Sequence, residues 1–191
     1  MRQRPAARLL VLDQQDRVLL FRFFHSSGAL AGRSYWSTPG GSLKDGEDFV
    51  QAAKRELHEE TGLNAPFLSS EIGQRTFVLT LADGETVLAD ERFFALRAPE
   101  TTLSSSGWTP NEKNVLKGHH WWSRRELEQT TEIIFPERLL DLLTTALSGH
   151  PPDFKKVSAR QRDARVGSAD TPLEFLEPEG CEYACTRPAA H

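Results

Sequence analysis

Apolar and polar positions change rhythm along the chain, and each rhythm predicts an element. Arg8–Leu12 and Val18–Phe23 are β-like apolar runs separated by DQQDR, which predicts a hairpin. The polar stretch HSSGALAGRS follows and runs into YWSTPGG. From Phe49 the period turns helical: Phe49, Ala52, Ala53 and Leu57 recur on one face, and Gly62 is placed to stop that helix. TFVLTL and TVLADERFFAL flank ADGE, whose Asp83-Gly84 pair predicts a second hairpin. APETTLSSSGWTPNEKN reads as a long exposed loop and GHHWW as a short strand. Ser123 and Glu126 make a capping box for a short helix. Pro136 is expected to open a last helix, with Leu139, Leu140, Leu143 and Leu147 on its buried side and Gly149 at its end.

After HPPDF the periodicity fails. Residues 151–191 are polar and broken by Pro and Gly, so a loosely packed or disordered tail is expected after a domain over 1–150. Strand pairs, a helix, more strands and a terminal helix predict an α/β protein with a mixed β-sheet covered by helices.

Composition narrows the function classes. At 191 residues, 38% hydrophobic and 26% charged, the chain can bury one ordinary globular core. A net charge of −4 gives no basic footprint, so no stable nucleic-acid partner is expected. Small anionic substrates stay open, because a bound divalent cation reverses the local field. Cys181 and Cys185 are the only cysteines, which removes a disulfide framework and points to a reducing, cytoplasmic setting. Their C-x3-C spacing, without a second pair, reads as incidental rather than as a zinc site. The first residues have too short an apolar run for a secretory signal or a spanning helix, so no membrane partner is expected.

The chemistry concentrates in GGSLKDGEDFVQAAKRELHEETGL. Glu56, Glu59 and Glu60 share one helix face near the C-terminal end. Like charges four apart cost a helix roughly 0.2–0.5 kcal/mol there, and the dipole disfavours acids at that end. A few converging carboxylates suit a hard cation such as Mg²⁺. On the residues alone, a solvated acidic face is equally open. Glu112 in TPNEK and Glu91 before Arg92 are further candidate acids, against plainer readings as an exposed loop charge and a strand-edge acid. Arg22 and Arg33 are candidate guanidinium forks for phosphate oxygens, against ordinary solvated arginines. His58 reads as a solvated helix residue. One of Trp121 and Trp122 is expected in the core, the other on a hydrophobic sheet face or stacked on a base.

Gly41, five residues, Glu47, seven residues, and Arg55-Glu56-Leu57-His58-Glu59-Glu60-Thr61-Gly62-Leu63 together resemble the Nudix box. That pattern is G-x5-E-x7-R-E-U-x-E-E-x-G-U, with U a bulky aliphatic residue, and every specified position matches. A chance match in this chain is on the order of 10⁻⁷. TPGG, ERFFAL, WWSRREL and FPERLLDLL extend the resemblance from about Arg8 to Leu147, and the long GALAGRSYWSTPGG entry resembles a MutT-like bacterial subgroup of undefined substrate.

The resemblance implies a Nudix α/β/α sandwich and the hydrolysis of a nucleoside diphosphate linked to another moiety. It implies Mg²⁺ or Mn²⁺ on Glu56, Glu59 and Glu60, with Glu47 and Arg55 bracing the loop and helix. Gly40 and Gly41 would let backbone N–H groups approach substrate phosphates. The general base would be Glu56 or a loop acid such as Glu112. The partner implied is a small nucleotide-derivative substrate, and a homodimer is compatible with the family. Discrimination among substrates would lie in the loops His25–Ser34 and Pro99–Asn114. Two alternatives accompany this reading. A non-catalytic nucleotide-sensing module of this fold commonly lacks box acids, whereas all are present here. A Nudix-fold diphosphate isomerase would require a cysteine within the domain, and the only cysteines are in the tail.

Overall fold

The computed structural model describes residues 1–148, apart from 29, 65, 66 and 82–84. The expected tail with Cys181 and Cys185, the stop at Gly149 and the Asp83-Gly84 turn therefore lie outside the described residues.

β1 (Arg2–Leu12) is buried at every position from Ala6 onward, as a strand covered on both faces must be. It pairs in parallel with β6 (Thr86–Arg97) over its whole length and turns back antiparallel into β2 (Val18–Phe24). β5 (Gly73–Thr80) lies antiparallel outside β6, so the strands of both predicted hairpins pair. Beyond β2 come β3 (Ser34–Ser37) and β8 (Ile134–Phe135), giving the order β5-β6-β1-β2-β3-β8. Two strands leave this path. β4 (Gly40–Ser42) pairs with β1 at Ala6–Arg8, and β7 (Leu116–Trp122) pairs with β2. Among the described residues β1 therefore pairs with β2 only at Leu12 and Val18, and β4 occupies the place β2 vacates.

α1 (Phe49–Thr61) starts at a capping box made by Asp48 and Gln51 and stops at Gly62, which is left-handed at φ 74°. Its Ala52, Ala53 and Leu57 pack on the sheet face that carries Leu9, Val11, Leu19, Phe21 and Trp121. The opposite face, with Leu10, Leu12, Val18, Leu20, Phe93 and Trp122, is covered by α3 (Arg124–Gln129) and α4 (Leu139–Ser148) through Leu127, Leu142 and Leu143. This is the expected sandwich of helices about a mixed sheet. Because strand neighbours face opposite ways, Trp121 and Trp122 each fill a different core, and neither is left for a base.

Three expectations need correction. α4 begins at Leu139, three residues past Pro136. Its buried stripe runs through Leu139, Leu142 and Leu143, which leaves Leu147 42% exposed. The 99–114 stretch is not all loop: α2 (Pro110–Val115) forms there behind a Thr109–Glu112 capping box. Among the described residues, no helix is long and apolar enough to cross a membrane.

Candidate active site

Arg55 is the centre of the site. Its Nε and Nη2 donate to the two carboxylate oxygens of Glu47 at 2.7 and 2.9 Å. Nη1 donates to Glu56 at 2.6 Å and to Glu59 at 2.9 Å, and Nη2 also reaches the Ser42 carbonyl at 2.9 Å. One planar fork thus ties the β4–α1 loop to two acids of the helix, as bidentate guanidinium geometry allows. Burial alone would lower the Arg55 pKa, but the surrounding carboxylates more than offset it and raise it. The Arg55 hydrogen bonds hold Glu47 down at about 2, aided by the Lys44 N–H. Glu47 precedes the Asp48 cap, so the guanidinium rather than a place in the first helical turn accounts for this acid.

Glu56 is buried at 4% exposure. Burial raises its pKa to about 7; Arg55 opposes the shift, and the charges of Glu59 and Glu112 add to it. Glu59 is half-exposed and also accepts from Lys44 Nζ at 3.2 Å. Glu60 is buried, and its Oε2 accepts the Gly40 N–H at 2.7 Å. Gly40 has φ 131°, and a Cβ there would sit 2.1 Å from the Ala7 carbonyl oxygen, so only glycine fits. Gly41 pairs with Ala7 in the β1–β4 ladder. The Gly40 N–H expected to approach a phosphate is therefore engaged by Glu60.

The three acids stand on one helix, yet among the described residues no three His, Cys, Asp or Glu side chains converge as a ready-made metal cage. Their repulsion is offset from within: Glu56 and Glu59 share Arg55, Glu59 also meets Lys44, and Glu60 turns to a backbone N–H. In donor chemistry the set fits a hard divalent cation, since every ligand it offers is a carboxylate oxygen.

The outlying candidates fare differently. Glu112 is not an exposed loop charge: it is 6% exposed, accepts the Thr109 N–H at 2.6 Å and acts electrostatically on Glu56. Glu91 is neither a strand-edge acid nor part of the box cluster. It is fully buried between Arg8 at 2.6 Å and Arg75 at 2.7 Å, which outweigh burial and lower its pKa. Arg22 points away from α1 because its neighbours Phe21 and Phe23 point toward it; its Nε donates to Ser34 at 3.3 Å and its guanidinium lies over Trp36. Arg33 is exposed, and its described contacts are backbone ones that close the 25–33 loop. Neither arginine is brought to the acids. His58 is exposed, as expected. Sequence reading missed Trp108, whose indole Nε1 donates to the Glu60 carbonyl at 2.7 Å.

Comparison with known proteins adds a family. The NUDIX domain family matches residues 2–143. Over 61 residues the chain is 38% identical to RNA pyrophosphohydrolase of Wolbachia pipientis wMel, covering 32% of this chain and 34% of that one. Over 119 residues it is 25% identical to Nudix hydrolase 5 of Arabidopsis thaliana, covering 58% of this chain and 37% of that one. The chain thus spans little more than a third of these curated relatives. The fold resembles that of the MutT protein from Methanosarcina mazei Go1, with TM-score 0.57 and 20% identity, covering 78% of this chain and 95% of that one. It also resembles the NUDIX domain of Shewanella oneidensis NrtR complexed with ADP ribose, with TM-score 0.53 and 18% identity, covering 78% and 89%. At those identities the likeness concerns the fold alone.

Proposed function

The chain belongs to the NUDIX family, and on that premise we propose that it is a divalent-metal-dependent pyrophosphohydrolase cleaving a phosphoanhydride bond of a nucleoside diphosphate linked to another moiety. The observation that carries this reading is the Arg55 network, in which Glu47, Glu56 and Glu59 meet on one guanidinium. Carboxylates in this number beside a phosphate-bearing substrate would call for a cation between them, which supports hydrolysis over binding alone.

Glu56, Glu59 and Glu60 are the residues that would hold Mg²⁺ or Mn²⁺; when bound, such an ion neutralises the pyrophosphate and acidifies a water. The chain's own groups do the rest. Arg55 keeps Glu56 and Glu59 from turning outward, and the Gly40 N–H fixes Glu60 against the β4 edge. Water attacks phosphorus in line, the bond to the bridging oxygen breaks, and the water's proton passes to Glu56, with Glu112 as the alternative acceptor. Little covalent chemistry falls to the protein beyond this positioning.

The substrate is a small nucleotide derivative, and the setting is a reducing cytoplasm. The likeness to an RNA pyrophosphohydrolase places an RNA-borne phosphoanhydride on the panel of compounds to try. Purified protein with Mg²⁺ is offered nucleotide sugars, ADP-ribose, dinucleoside polyphosphates, nucleoside triphosphates and triphosphorylated RNA, and released phosphate or nucleoside monophosphate is measured. Release from at least one class is expected. Binding without release from any of them would favour the sensing module instead.

A further inference from the structure

α1 ends with carbonyls that have no partner within the helix, and the segment 99–109 supplies them. Trp108 Nε1 donates to the Glu60 carbonyl at 2.7 Å, and the Ser104 N–H donates to the Thr61 carbonyl at 2.9 Å. The approach is close: a Cβ on Gly107 would lie 2.3 Å from the Glu59 carbonyl oxygen. On its other side the Trp108 ring meets Phe21 of β2 edge-on, 5.9 Å between centroids at 84°. Trp108 therefore bridges the sheet and the acid-bearing turn of α1. The next residue is Thr109, the cap of α2, and three residues further is Glu112, which is buried with its carboxylate turned back to the Thr109 N–H.

We propose that Trp108 is a positioning residue: by hooking the 99–109 segment to the Glu60 carbonyl, it sets where Glu112 stands relative to the acid-bearing turn of α1. This rests on the proposed hydrolysis at that site. The hydrogen bond goes to a main-chain oxygen, so it registers where the helix end is rather than which side chain is there. The Thr109–Glu112 capping box then converts that anchor into a fixed direction for the Glu112 carboxylate, whose Oε2 is held by the Thr109 N–H. Losing the indole N–H loosens the segment at its α2 end, with the Ser104 anchor and the core contact with Phe21 kept.

The test uses Trp108→Phe, which keeps a ring against Phe21, together with Glu112→Gln and the double variant. Hydrogen exchange of the 104–115 amides is expected to quicken in Trp108→Phe, with global unfolding little changed. On the substrate found in the panel, kcat is expected to fall about five- to tenfold with KM within about twofold, the size of one lost hydrogen bond. In the Glu112→Gln background the same change is expected to cost less than about twofold, because residues acting as one unit are not additive. Losses that simply multiply in the double variant would overturn the proposal, as would unchanged exchange at 104–115. A protein without turnover on any compound would count against the hydrolase reading, and the exchange measurement would still decide whether Trp108 holds the segment.

Discussion

Arg8 and Glu60 grip one residue from opposite sides. The Arg8 guanidinium donates to the Gly40 carbonyl at 3.2 Å, while the Gly40 N–H donates to the Glu60 carboxylate at 2.7 Å. Behind Arg8 stands Glu91, held in turn by Arg75. A buried ion network on one side of the sheet is thereby connected to an acid on α1 through a single glycine.

Breaking that network from one side should be costly. Glu91→Leu leaves Arg8 buried without its carboxylate and should lower stability by about 3–5 kcal/mol. Arg8→Met with Glu91→Leu removes both charges, and should cost less than Glu91→Leu alone. Urea unfolding of the three proteins checks the order. A double variant less stable than the single one would contradict it.

Glu60→Gln keeps an oxygen to accept the Gly40 N–H and removes the charge. Turnover should fall by at least about 100-fold, with little change in melting temperature. A variant as active as the parent would remove Glu60 from the proposed ligand set.

Arg55→Lys preserves charge but not the fork. A point ammonium cannot serve Glu47, Glu56, Glu59 and the Ser42 carbonyl together, so stability should drop by roughly 1.5–3 kcal/mol. Activity should fall more than tenfold. Thermal unfolding and steady-state kinetics measure the two effects separately.

His25 gives a pH signature away from the acids. It is buried, its Nε2 lies 2.7 Å from the Tyr35 hydroxyl, and burial lowers its pKa below the ordinary 6.5. In the window below 6.5 the unfolded chain takes the proton first, so this contribution to stability is complete above 6.5 and is lost as pH falls. Buried Glu56 acts in the opposite sense, because its raised pKa makes the folded chain the better proton acceptor between about 4.5 and 7. The comparison must therefore be differential. Between pH 7.5 and 5.5, His25→Gln should lose less stability than the parent. Equal losses in the two proteins would contradict the assignment.

What the sequence made legible was local. The hairpin strands, the α1 stripe, the Gly62 stop and the Ser123–Glu126 box all follow from neighbours within a few residues, and the structure has them. The resemblance to the Nudix box implies that Glu47 and Arg55 brace the loop and helix, and Glu47, Glu56 and Glu59 do meet on Arg55. Neither sequence reading of Glu91 anticipates its burial, because its partner Arg8 is 83 residues away and no period links them. For Glu112 the plainer reading as an exposed loop charge fails, although Thr109-Pro110-Asn111-Glu112 is itself a capping-box pattern with Pro at the first turn; the helix is only six residues long. On the residues alone the glutamate trio is open between a bound cation and a solvated face. Neither option foresees that Arg55, Lys44 and the Gly40 N–H also offset part of its repulsion.

Product release by the parent and by Glu56→Gln, each with and without Mg²⁺, tests the central claim most directly. On the substrate identified, phosphoanhydride cleavage should be absent after chelator treatment, return when Mg²⁺ is restored, and fail to return in Glu56→Gln. Undiminished cleavage by the chelated parent, or full recovery in Glu56→Gln, would contradict the account.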